Sequence, residues 1–175
     1  PGAAHVVTRI LPELDFAEPR FIANVSGSTI EEYVEVVRRS DDSPLDAMEI
    51  NISCPNVKEG GAQFGADPAM AAEVVAAARA VARRPLWVKL SPLVSDIACI
   101  AQAVVEAGAD ALAVANTYPA MAIDPASRQS RLGNLTGGLS GPAIKPITLR
   151  LVHEVYRVAE VPVIGLGGIE TPEDV

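Results

Sequence analysis

Two carboxamides flank one thiol in the run Asn51-Ile52-Ser53-Cys54-Pro55-Asn56, and Pro55 restricts the chain just after the thiol. A carboxamide offers both donors and acceptors, and a thiol can carry a proton, so the cluster suits one small polar ligand held by its edge. It follows the apolar stretch Ala47-Met48-Glu49-Ile50 and leads into Gly60-Gly61, which reads as an active-site loop at the end of a strand. Cys54 is open to two readings. A lone cysteine is often a small buried hydrophobe, and Cys99, on an apolar helical pattern, is expected to be one. Cys54 instead sits among asparagines with no histidine nearby in sequence. A thiol without an imidazole partner, with a pKa near ~8.5, suits proton abstraction better than acyl transfer.

Lys89 stands in the strand-like run Trp87-Val88-Lys89-Leu90. It is either a lysine snorkelling from the strand end or a fixed cation over an electron-rich ring or an anionic intermediate. Asn24 and Asn116-Thr117 end other apolar runs. One asparagine there is an ordinary turn residue, whereas Asn24, Asn51 and Asn116 together suggest a ligand with donors and acceptors on its edge. Gly137-Gly138-Leu139-Ser140-Gly141-Pro142 and Gly165-Leu166-Gly167-Gly168 each precede a helical pattern. They are either turn glycines or bare backbone N–H groups that hold a phosphate without net positive charge.

The chain of 175 residues is 49% hydrophobic and only 4% aromatic. That composition supports one buried core and favours parallel strands under helices. A net charge of −8 argues against nucleic acid or an anionic membrane as partner. Two cysteines and two histidines do not make a disulfide framework or a zinc site. No apolar run is long enough for a transmembrane helix, and a cytoplasmic setting is the plain expectation. The sequence opens at Pro1 and stops at Val175, just after the helix-start signal Thr171-Pro172-Glu173-Asp174. It reads as a fragment.

Hydrophobic periodicity predicts the elements that carry these residues. Pro1 to Arg20 reads as a connecting loop with one helical turn, and Phe21 to Val25 as a strand. Ser28 and Glu31 have capping-box spacing before a helix over about 29–39. Strand Ala47 to Ile52 precedes a helix over about 67–82 with Met70, Val74, Ala77 and Val81 as its inward stripe. Pro85 to Leu90 is the third strand. A helix capped by Ser95 or Asp96 turns Ile97, Ile100, Ala101 and Val104 inward and ends at Gly108. Asp110 to Asn116 is the fourth strand, and a glycine-rich excursion runs from Tyr118 to Gly141. A helix near 146–158, striped by Ile147, Leu151 and Val155, leads to the fifth strand, Pro162 to Gly165. Such alternation leaves a (β/α)8 barrel or an open doubly wound sheet. Polar or glycine residues at the carboxyl end of every strand favour the barrel. A full barrel needs about 250 residues, so the expected fold is α/β, a partial (β/α)8 TIM barrel with strands missing at both ends.

Five motifs in order carry a family resemblance: Asn51-Ile52-Ser53-Cys54-Pro55-Asn56-Val57-Lys58, Val88-Lys89-Leu90-Ser91-Pro92, Ala115-Asn116-Thr117, Thr136-Gly137-Gly138-Leu139-Ser140-Gly141-Pro142-Ala143-Ile144-Lys145-Pro146, and Ile164-Gly165-Leu166-Gly167-Gly168-Ile169. From Phe21 onward the chain resembles class 1 dihydroorotate dehydrogenase, specifically the NAD-linked B-type catalytic subunit, and Pro1-Gly2 resembles the end of the family's Asn-Pro-Gly segment. The resemblance implies that residues 1–175 are the central part of one FMN-binding TIM-barrel domain that oxidises dihydroorotate to orotate in pyrimidine synthesis. Cys54 would be the base that takes the C5 proton while hydride leaves C6 for flavin N5. Asn51, Asn56, Asn116 and Thr117 would hold the orotate ring and carboxylate. Lys89 would lie near the flavin N1/C2 carbonyl, with Asn24, Asn51, Ala115, Gly141, Gly167 and Gly168 completing the FMN contacts. Gly60-Gly61 would belong to the loop that closes over substrate.

The implied assembly is a homodimer with an iron-sulfur, FAD-containing partner subunit that passes electrons to NAD. The family's second lysine and substrate loop would precede Pro1, and its last phosphate loop would follow Val175. The fragment alone is therefore expected to bind FMN poorly, and Ala115, where a bulkier aliphatic is expected, would alter flavin packing. Alternatives are a fumarate-linked dihydroorotate dehydrogenase, a dihydropyrimidine dehydrogenase-like flavin barrel, a non-redox phosphate-binding barrel and a non-catalytic remnant.

Overall fold

Val25, Ile50, Val88 and Leu112 are buried and lie side by side in register across four adjacent parallel strands. Side chains alternate across a strand, so their neighbours Asn24, Glu49, Asn51, Trp87, Lys89 and Ala113 face the opposite side. The computed structural model describes residues 2–53 and 64–175. Its main sheet contains β1 (Ile22–Val25), β2 (Ala47–Asn51), β3 (Leu86–Lys89), β4 (Ala111–Val114) and, three strands later in the chain, β7 (Val163–Gly165). The order is β1-β2-β3-β4-β7, all parallel. Consecutive βα units are laid down as neighbours with no reversal of order. A doubly wound sheet would reverse, so the architecture is that of a partial (β/α)8 barrel.

Between the strands run α1 (Ile30–Asp41), α2 (Pro68–Arg79), α3 (Ile97–Glu106) and α4 (Lys145–Tyr156). Their apolar faces join the strands in one core that includes Tyr33, Val37, Val74, Ala78, Ile100, Val104 and Leu151. Each of the first three starts on a side-chain cap: Thr29 accepts from Glu32 N–H, Asp67 from Met70 N–H and Asp96 from Cys99 N–H. The capping pair of α1 sits one residue later than expected, with Glu32 also accepting from Ser28 N–H.

Several expectations are corrected. Ala3–His5, Val6–Ile10 and Leu11–Glu13 are consecutive helical turns where one turn in a loop was expected. Pro12 fits because its missing N–H falls where no helical bond is due. In α2 the buried residues are Ala71, Val74, Val75 and Ala78, while Met70 is exposed. In α4 Thr148 is buried and Ile147 exposed. Cys99 is exposed, because the inward phase of α3 is Ile97, Ile100, Ala101 and Val104. The excursion after β4 holds a short antiparallel ribbon, β5 (Tyr118–Ala120) with β6 (Gly137–Leu139), which the glycines had masked.

The amino ends of the strands are tied by carboxylates. Asp46 accepts from Phe21 N–H and pairs with Arg20, and Asp110 accepts from Leu86 N–H and pairs with Arg79. Asp41, buried at the end of α1, accepts from the N–H groups of Arg83 and Arg84 and from Arg83 Nε. Burial pushes the Asp41 carboxyl up. The hydrogen bonds from the Arg83 side chain and from both N–H groups, with the guanidinium charge, outweigh that and hold it below the ordinary carboxylate value. These ties fix the foot of the sheet and leave its carboxyl ends to the polar groups.

Candidate active site

Parallel pairing sets Asn24 beside Glu49 and Asn51 beside Lys89, so three strands deliver four polar side chains to one inner face. Asn24 Nδ2 donates to Glu49 Oε1 at 2.5 Å. Lys89 Nζ lies 3.9 Å from the same oxygen, the two side chains being 22% and 14% exposed. Asn51 Nδ2 donates to Asn24 Oδ1 at 3.2 Å, while Asn51 Oδ1 accepts from Ser53 N–H and, at 2.6 Å, from the Ser53 hydroxyl. That oxygen can only accept, which fixes the carboxamide with its nitrogen toward β1.

Ser53, buried just past β2, passes the network on to β4. Asn116 Nδ2 donates to Ser53 Oγ at 2.8 Å and reaches its carbonyl at 3.4 Å, and Asn116 Oδ1 accepts from Thr117 N–H at 2.8 Å. One hydrogen-bonded path thus runs from Glu49, with Lys89 at its side, through Asn24, Asn51 and Ser53 to Asn116 and Thr117. Leu166 N–H donates to the Val114 carbonyl and Ala115 N–H to that of Leu166, holding the loop after β7 beside the end of β4. The Val114–Ala115 peptide bond is cis. The β5–β6 ribbon covers Thr117, since a Cβ on Gly138 would lie 2.3 Å from its Oγ1.

Two glycine loops flank this face. Gly141, Gly167 and Gly168 have φ of 89°, 121° and 79°, a region L side chains rarely adopt. A Cβ on Gly168 would lie 2.7 Å from Lys145 N, so the loop after β7 packs backbone to backbone against the start of α4, whereas one on Gly141 would meet nothing within 4 Å. Asp174 fastens the same loop, accepting from Lys145 Nζ and from the N–H groups of Glu170 and Thr171. The Lys145 hydrogen bond, then the two backbone N–H groups, hold its carboxyl down to about 2.

Comparison with known proteins places the chain. The family model described as dihydroorotate dehydrogenase matches residues 1–175. The chain belongs to the dihydroorotate dehydrogenase family. It is 50% identical to the dihydroorotate dehydrogenase B (NAD(+)) catalytic subunit of Listeria welshimeri, with 100% of this chain and 58% of that protein covered. The Exiguobacterium sibiricum protein of the same name is 51% identical, with 100% of this chain and 57% of that protein covered. The chain therefore spans somewhat over half the length of these relatives. Among solved structures, Eimeria tenella DHODH in complex with ferulenol superposes with a TM-score of 0.74 at 25% identity, covering 98% of this chain and 52% of that one. The ligand-free Eimeria enzyme gives 0.68 at 27% identity, covering 86% of this chain and 47% of that one.

Of the residues that family resemblance singled out, the structure gathers Asn24, Asn51, Lys89, Asn116 and Thr117 on one network. Ala115 lies beside it, 6% exposed, with its N–H turned to Leu166. Gly141, Gly167 and Gly168 lie on the two flanking loops. Cys54, Asn56, Gly60 and Gly61 fall outside the described residues. Sequence reasoning passed over Glu49, read as part of an apolar run, and Ser53. Both are two residues from Asn51, and the period of two along a strand was the signal that could have found Glu49.

Proposed function

We propose that the complete protein oxidises dihydroorotate to orotate with FMN and passes the electrons to NAD through an iron-sulfur, FAD-containing partner subunit. The chain would supply the central part of the single FMN-binding barrel domain, within a cytoplasmic homodimer. The observation that carries the reading is the path of carboxamides and hydroxyls joining the carboxyl ends of β1, β2 and β4, with one ammonium at its side. Its donors and acceptors match a flat ring bearing carbonyl and N–H edges. The B-type name of two relatives at 50% and 51% identity supports the NAD-linked variant.

The residues present fit FMN. Asn24, Asn51 and Lys89 offer donors on the inner face, and Gly141 presents backbone with nothing within 4 Å of an added Cβ, a geometry open to a phosphate. At Gly167 and Gly168 the crowding against Ile144 and Lys145 already requires glycine, so those two glycines alone argue nothing for a ligand. When bound, FMN supplies the two-electron acceptor, and the protein supplies orientation and charge. Asn24, Asn51 and Lys89 would hold the ring; Gly141, Gly167 and Gly168 the phosphate.

The chain's own part in the reaction is to hold the substrate and take a proton. Asn51 and Asn116, each fixed in orientation by Ser53, would grip the ring with Asn56, and Thr117 would add a hydroxyl. Cys54 would remove the C5 proton. The test is to add dihydroorotate to the complete protein and its partner subunit. Bleaching of a bound flavin followed by NAD reduction is expected. Fumarate reduction without the partner would overturn the NAD-linked reading, and a colourless protein that takes up no FMN would overturn the flavin reading.

A further inference from the structure

Among the described residues of the seven strands, Glu49 is the only acid and Lys89 the only base. They lie on the same inner face, on neighbouring strands, and their charged groups are 3.9 Å apart at low exposure. A carboxylate there needs compensation, and it has two partners: the amide of Asn24 at 2.5 Å and the ammonium of Lys89. Glu49 is thus bonded to one proposed flavin contact and paired with another, while its neighbours on β2, Met48 and Ile50, are fully buried on the opposite face.

We infer that Glu49 is a positioning residue for the cofactor site that sets both the aim of Asn24 and Lys89 and the net charge they present. The inference rests on the flavin reading above. A bare ammonium beside the ring favours the negative charge that a flavin gains on reduction. A carboxylate 3.9 Å from that ammonium offsets part of the effect, so Glu49 holds the reduction potential lower than Lys89 alone would set it.

The experiment compares flavin midpoint potential and FMN dissociation constant in the complete wild-type protein, Glu49→Gln and Glu49→Asp. Glu49→Gln keeps a carbonyl oxygen for Asn24 but removes the charge. Its reduction equilibrium is expected to shift about tenfold toward the reduced flavin, a rise of about 30 mV for a two-electron couple. Glu49→Asp draws the charge back by one methylene and should give a smaller rise in the same direction, and it decides the matter if Glu49→Gln does not retain FMN. A purely structural ion pair would lower the melting temperature and leave the potential unmoved, and that result overturns the proposal. A wild-type protein that holds no FMN overturns the flavin reading and this inference together. Bound FMN with unchanged potentials in both variants overturns the role of Glu49 alone.

Discussion

Removing the Ser53 hydroxyl withdraws a donor from Asn51 and an acceptor from Asn116 at once. Ser53→Ala in the complete protein should raise KM for dihydroorotate about 5- to 10-fold, the scale of one neutral hydrogen bond, while FMN content stays unchanged. Steady-state kinetics beside flavin absorbance would show it. Cys54→Ala should keep FMN and orotate binding and slow flavin reduction at neutral pH by about 10²-fold or more, the scale of a lost general base. Stopped-flow reduction at wild-type rates would refute that role, and Cys54→Ser should recover rate only at high pH. At this scale the sequence was most legible where chemistry is unusual for its place, as with the strand-end asparagines and Lys89. Glu49 was hidden by its apolar context, although it shares the period of two with Asn51, and Ser53 was illegible because serine is common in turns. Their meaning came from partners 25 and 63 residues distant.

The elements were legible wherever caps and periodicity agree. Asp96 with the Ile97, Ile100, Ala101 and Val104 face is such a case, and the structure has both. In α2, alanine on nearly every side leaves no contrast, so the sheet and not the pattern selects Ala71, Val74, Val75 and Ala78 for burial. The Asp41 tie was likewise invisible, since it links the end of α1 to Arg83 and Arg84 beyond α2. It yields a prediction with a definite sign. Asp41 titrates lower in the folded state than in the unfolded chain, so its contribution is complete above the unfolded value of about 3.9 and is lost as pH falls through the lower folded value. Urea denaturation should find Asp41→Asn less stable than the wild type by about 1–3 kcal/mol near pH 6. The difference should shrink as the pH is taken below about 4, and a gap independent of pH would refute the ionic account.

At the scale of the whole molecule, the sequential order β1-β2-β3-β4-β7 is what the repeated βα pattern led one to expect. The β5–β6 ribbon was not foreseeable, because its pairing joins Tyr118 to Leu139 across a long excursion. No helix among the described residues is long and apolar enough to cross a membrane. The network spans the inner face of β1 to β4, whereas the chain spans 58% of its Listeria relative. Residues 1–175 alone should therefore bind FMN at least tenfold more weakly than the complete protein, which flavin fluorescence titration would measure. Equal affinity would mean that the walls supplied by this chain suffice.

Tyr33 reaches from α1 to both sides of the segment that carries Cys54. Its hydroxyl donates to the Asn51 carbonyl at 2.8 Å, and its ring meets that of Phe64 edge-on at 6.0 Å. Gly65 presses so near the end of β2 that a Cβ there would lie 2.2 Å from the Ile52 carbonyl oxygen. The two stems of residues 54–63 are held together by contacts outside that segment. The end of β2 is thus clasped between α1 and Gly65, and Tyr33→Phe, which removes only the hydroxyl, should lower the stability of the complete protein by about 0.5–1.5 kcal/mol in urea denaturation.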